Sequence, residues 1–313
     1  MCIYIDLKNN SAKKDFTMLK KPKSIIDYYQ KRIDTILTET FNLSVNEDSN
    51  LADAMRYSVL NGGKRIRPLL IYTCGECLKV KKEKLDTPAL SIELLHAFSL
   101  VHDDLPSMDN DNLRRGMPTT HKKYDEATAI LAADALQTFA FGNIADSEFL
   151  DSNEKVNLIS LIAEACGSSG MTGGQAIDLA SEGQSLDKDE LYKLHKMKTG
   201  ALIHASVMAP FYLSKQNSEE IYKTISHFGW TIGVAFQIRD DLLDIEESSK
   251  ITGKDEKSDI KNNKATWPAT FGKKASHEYC NELLDRCIKN LDIFNNEAEP
   301  LRWLTRYLIN RKY

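Results

Sequence analysis

Apolar residues recur at helical spacing along almost the whole of this chain. Over 24–43, Ile25, Ile26, Tyr29, Ile33, Ile36 and Leu37 lie three or four positions apart, the spacing that gathers side chains on one face of an α-helix. Asn50 reads as an N-cap before a second stripe, Leu51, Ala54, Met55, Val59 and Leu60, which Gly62-Gly63 stops. A third helix is expected to follow Pro68. A fourth should begin near Pro88 and run through Leu90, Leu94, Leu95, Phe98 and Val101 into an Asp pair, with Pro106 ending it. Helical patterning continues over 128–150, 156–167, 188–213 and 219–246. A polar stretch, 247–264, follows, and two more helical segments close the chain, the last over 301–311. No repeat, low-complexity segment or shift in composition divides the sequence. One helical domain over 21–313, behind a loose N-terminal extension over 1–20, is the expected organisation.

Composition sharpens this to an all-α fold. With 15 Gly and 8 Pro in 313 residues, tight turns are scarce, which favours long uninterrupted helices over a sandwich, barrel or alternating sheet. Hydrophobic residues at 42% are ample for a core. The net charge of −4 gives no reason to expect nucleic acid, whose phosphates select clustered positive charge. No apolar run reaches the roughly 18 residues of a membrane span. The nearest, 127–142, is interrupted by Asp134 and Gln137. The N-terminus lacks the basic-then-apolar order of a secretory signal, so a soluble cytoplasmic protein is expected. Cys74-Gly-Glu-Cys77 has no second Cys/His pair at matching spacing, and reads as two helical thiols rather than a zinc or redox site.

Two acidic clusters stand out against this apolar pattern: Asp103-Asp104-Leu-Pro-Ser-Met-Asp109 and Asp240-Asp241-Leu-Leu-Asp244. Each concentrates carboxylates at a spacing suited to shared ligation of a hard divalent cation, with the remaining positions left to phosphate and water, as Mg²⁺ prefers. On the 219–246 helix, Gln237, Asp241 and Asp244 fall at i, i+4 and i+7, one face, with Asp240 beside them. Like charges so placed repel. Asp103 and Asp104 end an apolar helix, where the negative end of the macrodipole makes them unfavourable unless a cation compensates. The alternative for either cluster is an exposed acidic edge.

Bases accompany the acids. Lys64, Arg65 and Arg67 follow Gly62-Gly63 in a loop with free amides, and Arg114-Arg115 follow the first cluster. Lys198 lies mid-helix, and Lys254 and Lys264 flank the loop after the second cluster. Arg makes forked, charge-assisted bonds to phosphate and Lys acts as a point charge.

The joint order of these segments resembles the trans-isoprenyl diphosphate synthases, most closely the farnesyl-type bacterial members. The segments are GGKRIRP (62–68), LLHAFSLVHDDLPSMDNDNLRRGMPTTH (94–121), GMTGGQAIDL (170–179), KTGALI (198–203), FQIRDDLLDI (236–245), TGK (252–254) and KATWP (264–268). The resemblance implies an isoprenoid synthase-type helical bundle around a central cavity, with the two Asp clusters facing each other across its mouth. It implies Mg²⁺-dependent head-to-tail prenyl transfer, in which an allylic diphosphate ionises, isopentenyl diphosphate attacks the cation and a proton is lost. Three Mg²⁺ per site and a homodimer are part of the same expectation.

By position, Asp103, Asp104 and Asp109 would hold two of the metals, and Asp240 with Asp241 and Asp244 the third. Lys64, Arg67, His96 and Arg115 match the isopentenyl diphosphate site. Arg114, Lys198, Gln237 and Lys254 match the allylic site, with Lys264 nearby, and Thr199 stands where the family steadies the carbocation. The departures are Lys257, where the family usually has Gly, and Trp267, where it usually has Tyr. Taken alone, His96 and His102 on an apolar helix would be structural histidines, and Met171 and Phe236 are expected in the core.

Chain length in this family is set just before the first Asp cluster. Phe98, five residues ahead of Asp103, resembles the farnesyl type, with Ser99 next to it. The expected product is therefore C15, with a C20 synthase as the alternative. A terpene cyclase would carry Asn, Ser or Thr and Glu in its second metal motif, and a silent partner subunit would have lost the acids.

Overall fold

The computed structural model describes residues 22–44, 49–216, 218–248 and 265–311. Helix α1 spans Pro22–Ser44, α2 Asn50–Leu60, α3 Ile66–Cys77 and α4 Lys82–Asp103. A two-stranded hairpin follows, β1 Leu113–Arg114 and β2 Met117–Pro118, antiparallel with Arg114 opposite Met117. Then come α5 Thr120–Lys123, α6 Glu126–Ala145, α7 Ser152–Cys166, α8 Met171–Ala180 and α9 Lys188–His195. A π-helical turn, Lys196–Gly200, leads into α10 Ala201–Leu213. Helix α11 covers Glu219–Ser248, α12 Trp267–Phe271 and α13 Lys273–Asn290, and a 3₁₀ turn, Asp292–Ala298, precedes α14 Glu299–Asn310.

The all-α expectation holds, and the boundaries shift for identifiable reasons. Ser49, not Asn50, caps α2, its hydroxyl accepting from the Ala52 amide at 3.2 Å. Helix α3 starts before Pro68, at Ile66, after Arg65 in the left-handed region (φ 51°). Helix α4 starts at Lys82, with Pro88 in its second turn, where only the bond to the Lys84 carbonyl is forfeited. The 128–150 pattern breaks at Ala145, and a new helix opens at Ser152 under an Asp151–Glu154 capping box.

Helix α4 is the axis of the fold. Leu85, Ala89, Ile92, Leu94, Leu95 and Val101 are all buried on it, so it is apolar on every side and packs against α3, α6 and α10. Helix α10 is equally apolar and buried, between α3, α7 and α11. A second, smaller apolar cluster under the C-terminal half joins α9, α11, α12 and α13 through Leu194, Ile238, Leu242, Trp267 and Leu283. Cys74 and Cys77 lie buried on α3 as helical thiols, and burial pushes the Cys77 thiol up to about 12. No described helix is long and apolar enough to cross a membrane.

Candidate active site

The C-terminal end of α4 opens into a cavity of about 1140 Å³, at the large end for a small-molecule site. Its walls come from the 61–67 loop, α4, the hairpin, α8, the π-helical turn, α11 and Arg311 at the end of α14. Lys64, Arg67, His96, Phe98, Ser99, Asp103, Asp109, Arg114, Arg115, Lys198, Thr199, Gln237, Asp240 and Asp244 all face it. Fourteen residues separated by up to 180 positions thus converge on one space. Lys254, Lys257 and Lys264 lie outside the described residues.

Two expected ligands are turned elsewhere. Asp104 is buried and does not line the cavity; its carboxylate accepts from Arg114 Nε at 2.9 Å, and Arg114 also lies 3.5 Å from Asp111. Asp241 is buried too. One of its oxygens accepts from the Trp267 backbone N–H at 2.9 Å and lies 3.5 Å from His195 Nε2, and the other accepts from Gln237 Nε2 at 2.9 Å. The helical period explains both cases. Neighbours in a helix point about 100° apart, so only one carboxylate of each Asp pair meets the cavity while the other enters the wall. Of the six acids expected as metal ligands, Asp103, Asp109, Asp240 and Asp244 line the cavity.

Those four supply only hard oxygen donors, and at Asp103 and Asp240 burial disfavours the charged form. Burial raises the Asp103 carboxyl to about 6, with Lys198 lowering it and Asp109 raising it further. Asp240 is also raised by burial, and Arg311 opposes that shift. Such a donor set fits Mg²⁺ with diphosphate oxygens completing the coordination. Among the described residues no three His, Cys, Asp or Glu groups form a metal-holding cluster by themselves.

The opposing charge is as concentrated. Arg115 donates to Asn61 Oδ1 at 3.0 Å and to the Gly62 carbonyl, and a Cβ on Gly63 would come within 2.8 Å of its guanidinium. Gly63 (φ +138°) therefore meets both a backbone and a packing demand. Arg65 is tied to Glu93 at 2.8 Å and to Asp34 at 2.9 Å, which fixes the backbone between Lys64 in the loop and Arg67 in the first turn of α3. His96 is held well below the usual imidazole range by burial and by Arg67 and Arg115, so it presents a neutral ring.

On the other wall the π-helical turn inserts one extra residue into the α9–α10 helix. It carries Lys198 and Thr199 to the cavity. Lys198 Nζ is bonded to Asp178 at 2.5 Å, and Thr199 donates to Gln237 Oε1 at 2.6 Å. Gly174 permits this approach: a Cβ there would lie 2.2 Å from the Lys198 amide nitrogen.

Sequence reasoning passed over Glu93, Gln175, Asp178 and Arg311. Gln175 and Asp178 lie within the segment 170–179, where two polar residues three apart in an apolar helix are the available signal. Arg311, which pairs with Asp240 and stacks 4.3 Å over Phe236, carried none. Met171 and Phe236, expected in the core, are buried but form part of the cavity wall. His102 packs edge-on against Phe98 at 4.9 Å and also lines the cavity.

A large cavity in a helical bundle, lined by carboxylates, bases and apolar side chains together, suits a substrate that joins an anionic head to a hydrocarbon body. The chain belongs to the polyprenyl synthetase family, whose model matches residues 48–300. It is a prenyltransferase, a trans-prenyl diphosphate synthase. A farnesyl diphosphate synthase of Haemophilus influenzae is 39% identical over 284 residues, 90% of this chain and 96% of that one. A geranylgeranyl diphosphate synthase of Cyanophora paradoxa is 37% identical over 292 residues, 92% of this chain and 97% of that one. Among solved structures, a geranyltransferase from Legionella pneumophila superposes with a TM-score of 0.83 at 34% identity, covering 93% and 97% of the two chains. Another, from Helicobacter pylori and complexed with magnesium and isoprenyl diphosphate, gives 0.79 at 33% identity, covering 93% and 97%.

Proposed function

We propose that the chain condenses isopentenyl diphosphate first with dimethylallyl and then with geranyl diphosphate, releasing farnesyl diphosphate. The observation that carries the C15 assignment is Phe98. Its ring is buried in the cavity wall, about 7.5 Å along α4 below Asp103, where a growing tail would meet it. A C20 product is the second reading, favoured by the identity to the Cyanophora paradoxa enzyme.

In this reading Asp103, Asp109, Asp240 and Asp244 hold Mg²⁺ against the allylic diphosphate. When bound, the metal neutralises the charge that gathers on the leaving group. Arg114 and Lys198 hold that diphosphate from the side, each already oriented by a carboxylate of its own, Asp104 and Asp178. Lys64, Arg67, Arg115 and neutral His96 bind the second diphosphate, which sets the double bond of isopentenyl diphosphate against the allylic carbon. The Thr199 hydroxyl, held by Gln237, faces the carbon that becomes positive. No side chain is needed as base, because the departed diphosphate can take the proton. Enclosure keeps water from the cation.

A homodimer belongs to the same proposal. The exposed apolar residues Ile130 and Leu131 on α6, Phe149 in the turn after it and Val156 on α7 offer surface for a second copy. The test is product analysis: purified protein with Mg²⁺, isopentenyl diphosphate and dimethylallyl or geranyl diphosphate, followed by dephosphorylation. Farnesol is expected. Geranylgeraniol would keep the reaction and discard the chain-length assignment, and no prenyl alcohol would refute the reading.

A further inference from the structure

The cavity wall contributed by α8 is mostly apolar. Met171, Thr172, Gln175, Ala176 and Leu179 line it, the i, i+4, i+8 stripe of one helix face. In the middle of that stripe sits a primary carboxamide. Gln175 is 9% exposed, and both its Oε1 and its Nε2 are buried with no hydrogen-bond partner. Buried polar atoms in folded proteins are almost always satisfied, and leaving an amide unpaired is destabilising. A Leu or Met at this position would continue the apolar face at no such cost. The other amides of the cavity are engaged, Gln237 with Thr199 and Asp241 and Asn61 with Arg115. Of the cavity's amides, Gln175 is the one whose oxygen and nitrogen both lack a hydrogen-bond partner.

What it would meet follows from its place. The bases that line the cavity lie on the 61–67 segment, the hairpin, the π-helical turn and at Arg311, whereas Gln175 stands among the apolar lining residues Met171, Ala176 and Leu179. It is one helical turn from Asp178, the partner of Lys198, and so lies near the boundary between the diphosphate and the tail. The group created at that boundary is an allylic cation, strongly electron-poor and dry.

We propose that Gln175 is a catalytic residue whose carboxamide oxygen faces the allylic carbons as they become positive. The inference rests on the prenyl-transfer reading above. In the step concerned, the C1–O bond of the allylic diphosphate breaks and its electron pair leaves with the diphosphate. Positive charge spreads over C1 and C3, and the Oε1 dipole, aligned beforehand, stabilises it until the isopentenyl double bond closes the new C–C bond. A dipole fixed before the reaction gains in the transition state what it does not gain with the neutral hydrocarbon of the ground state, so its effect falls on kcat.

The experiment compares Gln175→Met, which keeps the length and removes the dipole, with the wild-type enzyme, full-length and with Mg²⁺, isopentenyl diphosphate and geranyl diphosphate. We expect kcat to fall about tenfold to a hundredfold. Both KM values should stay within about twofold, and the melting temperature should be unchanged or higher, because a buried unpaired amide has gone. A geranyl analogue with fluorine near C3, which withdraws charge from the cation, should slow the variant more than the wild type. Gln175→Leu serves as a second variant if Gln175→Met does not fold. A kcat within twofold of wild type overturns the proposal. So does a loss confined to the KM of the allylic substrate, which would make Gln175 a diphosphate contact, or a fall in melting temperature that matches the loss of rate. A wild-type enzyme that makes no prenyl product at all would refute the underlying reading instead, before any variant is compared.

Discussion

The two Asp clusters are built on the same plan with different supports. In the first, on the end of α4 and the turn after it, Asp103 faces the cavity while Asp104 turns into the wall and orients Arg114, a base that also faces the cavity. In the second, on α11, Asp240 and Asp244 face the cavity while Asp241 turns away and receives the Trp267 amide and the Gln237 side chain. Each adjacent pair thus divides into a carboxylate that faces the cavity and a carboxylate that serves the scaffold. The difference lies in what the scaffold carboxylate holds. Asp104 sets a neighbouring cation, a local task. Asp241 joins α11 to α12 across 26 residues, and through Gln237 it also fixes the hydroxyl of Thr199. An error at the second cluster should therefore spread further through the fold.

The sharpest break in this comparison comes from removing the cavity-facing acids. Asp103→Ala and Asp240→Ala should each lower turnover by about a thousandfold, with little change in thermal stability, because the cation and the leaving-group charge lose their partner. Steady-state rates beside melting curves check this. Unfolded protein in place of a folded, inactive one would contradict it.

Asp241→Ala should behave in the opposite way. It leaves the Trp267 N–H and the Gln237 amide without their acceptor in a buried wall, a loss of about 2–4 kcal/mol measurable by urea unfolding. The folded fraction should retain far more activity than Asp103→Ala.

Phe98→Ala leaves the clusters untouched and moves the floor beneath the first of them. The product should lengthen past C15, read by chromatography of the dephosphorylated alcohols. Stability should fall by about 3 kcal/mol for the vacated ring volume. An unchanged product from active protein would end the role of Phe98 as the floor.

The smallest effect concerns pH. Burial holds His195, beside Asp241, down to about 3, and burial with Lys196 holds His204 down to about 4. Both rings stay neutral in the folded protein, while in the unfolded chain they take up protons below about 6.5. The unfolded state then binds more protons, so stability should fall as pH drops from about 6.5 toward 4. His204→Gln should flatten part of that slope in pH-dependent melting curves.

The helices were legible in the sequence because apolar spacing survives any choice of partner. Their ends were less so. Whether Ser49 or Asn50 caps α2 depends on which side chain reaches the Ala52 amide, and both residues suit the position. The acidic clusters and the bases were legible as types of residue at suggestive spacing. Which member of Asp103-Asp104 or Asp240-Asp241 faces the ligand was not, since that depends on how each helix is rotated by its packing. Gln175 and Asp178 lay in a recognised segment, but their importance comes from the π-helical turn that brings Lys198 against them. Arg311 reaches Asp240 from 71 residues away, and no local pattern announces such a contact.

The most direct test of the central claim, one working carboxylate facing the ligand from each adjacent pair, is calorimetric titration of inorganic diphosphate with and without Mg²⁺. Wild-type protein, Asp103→Asn, Asp240→Asn and Asp241→Asn are compared. Mg²⁺-dependent binding should be present in the wild type, weakened by at least about tenfold in Asp103→Asn and Asp240→Asn, and retained in folded Asp241→Asn. Equal loss in Asp240→Asn and Asp241→Asn, with both folded, would contradict the division of labour and with it this account of the site.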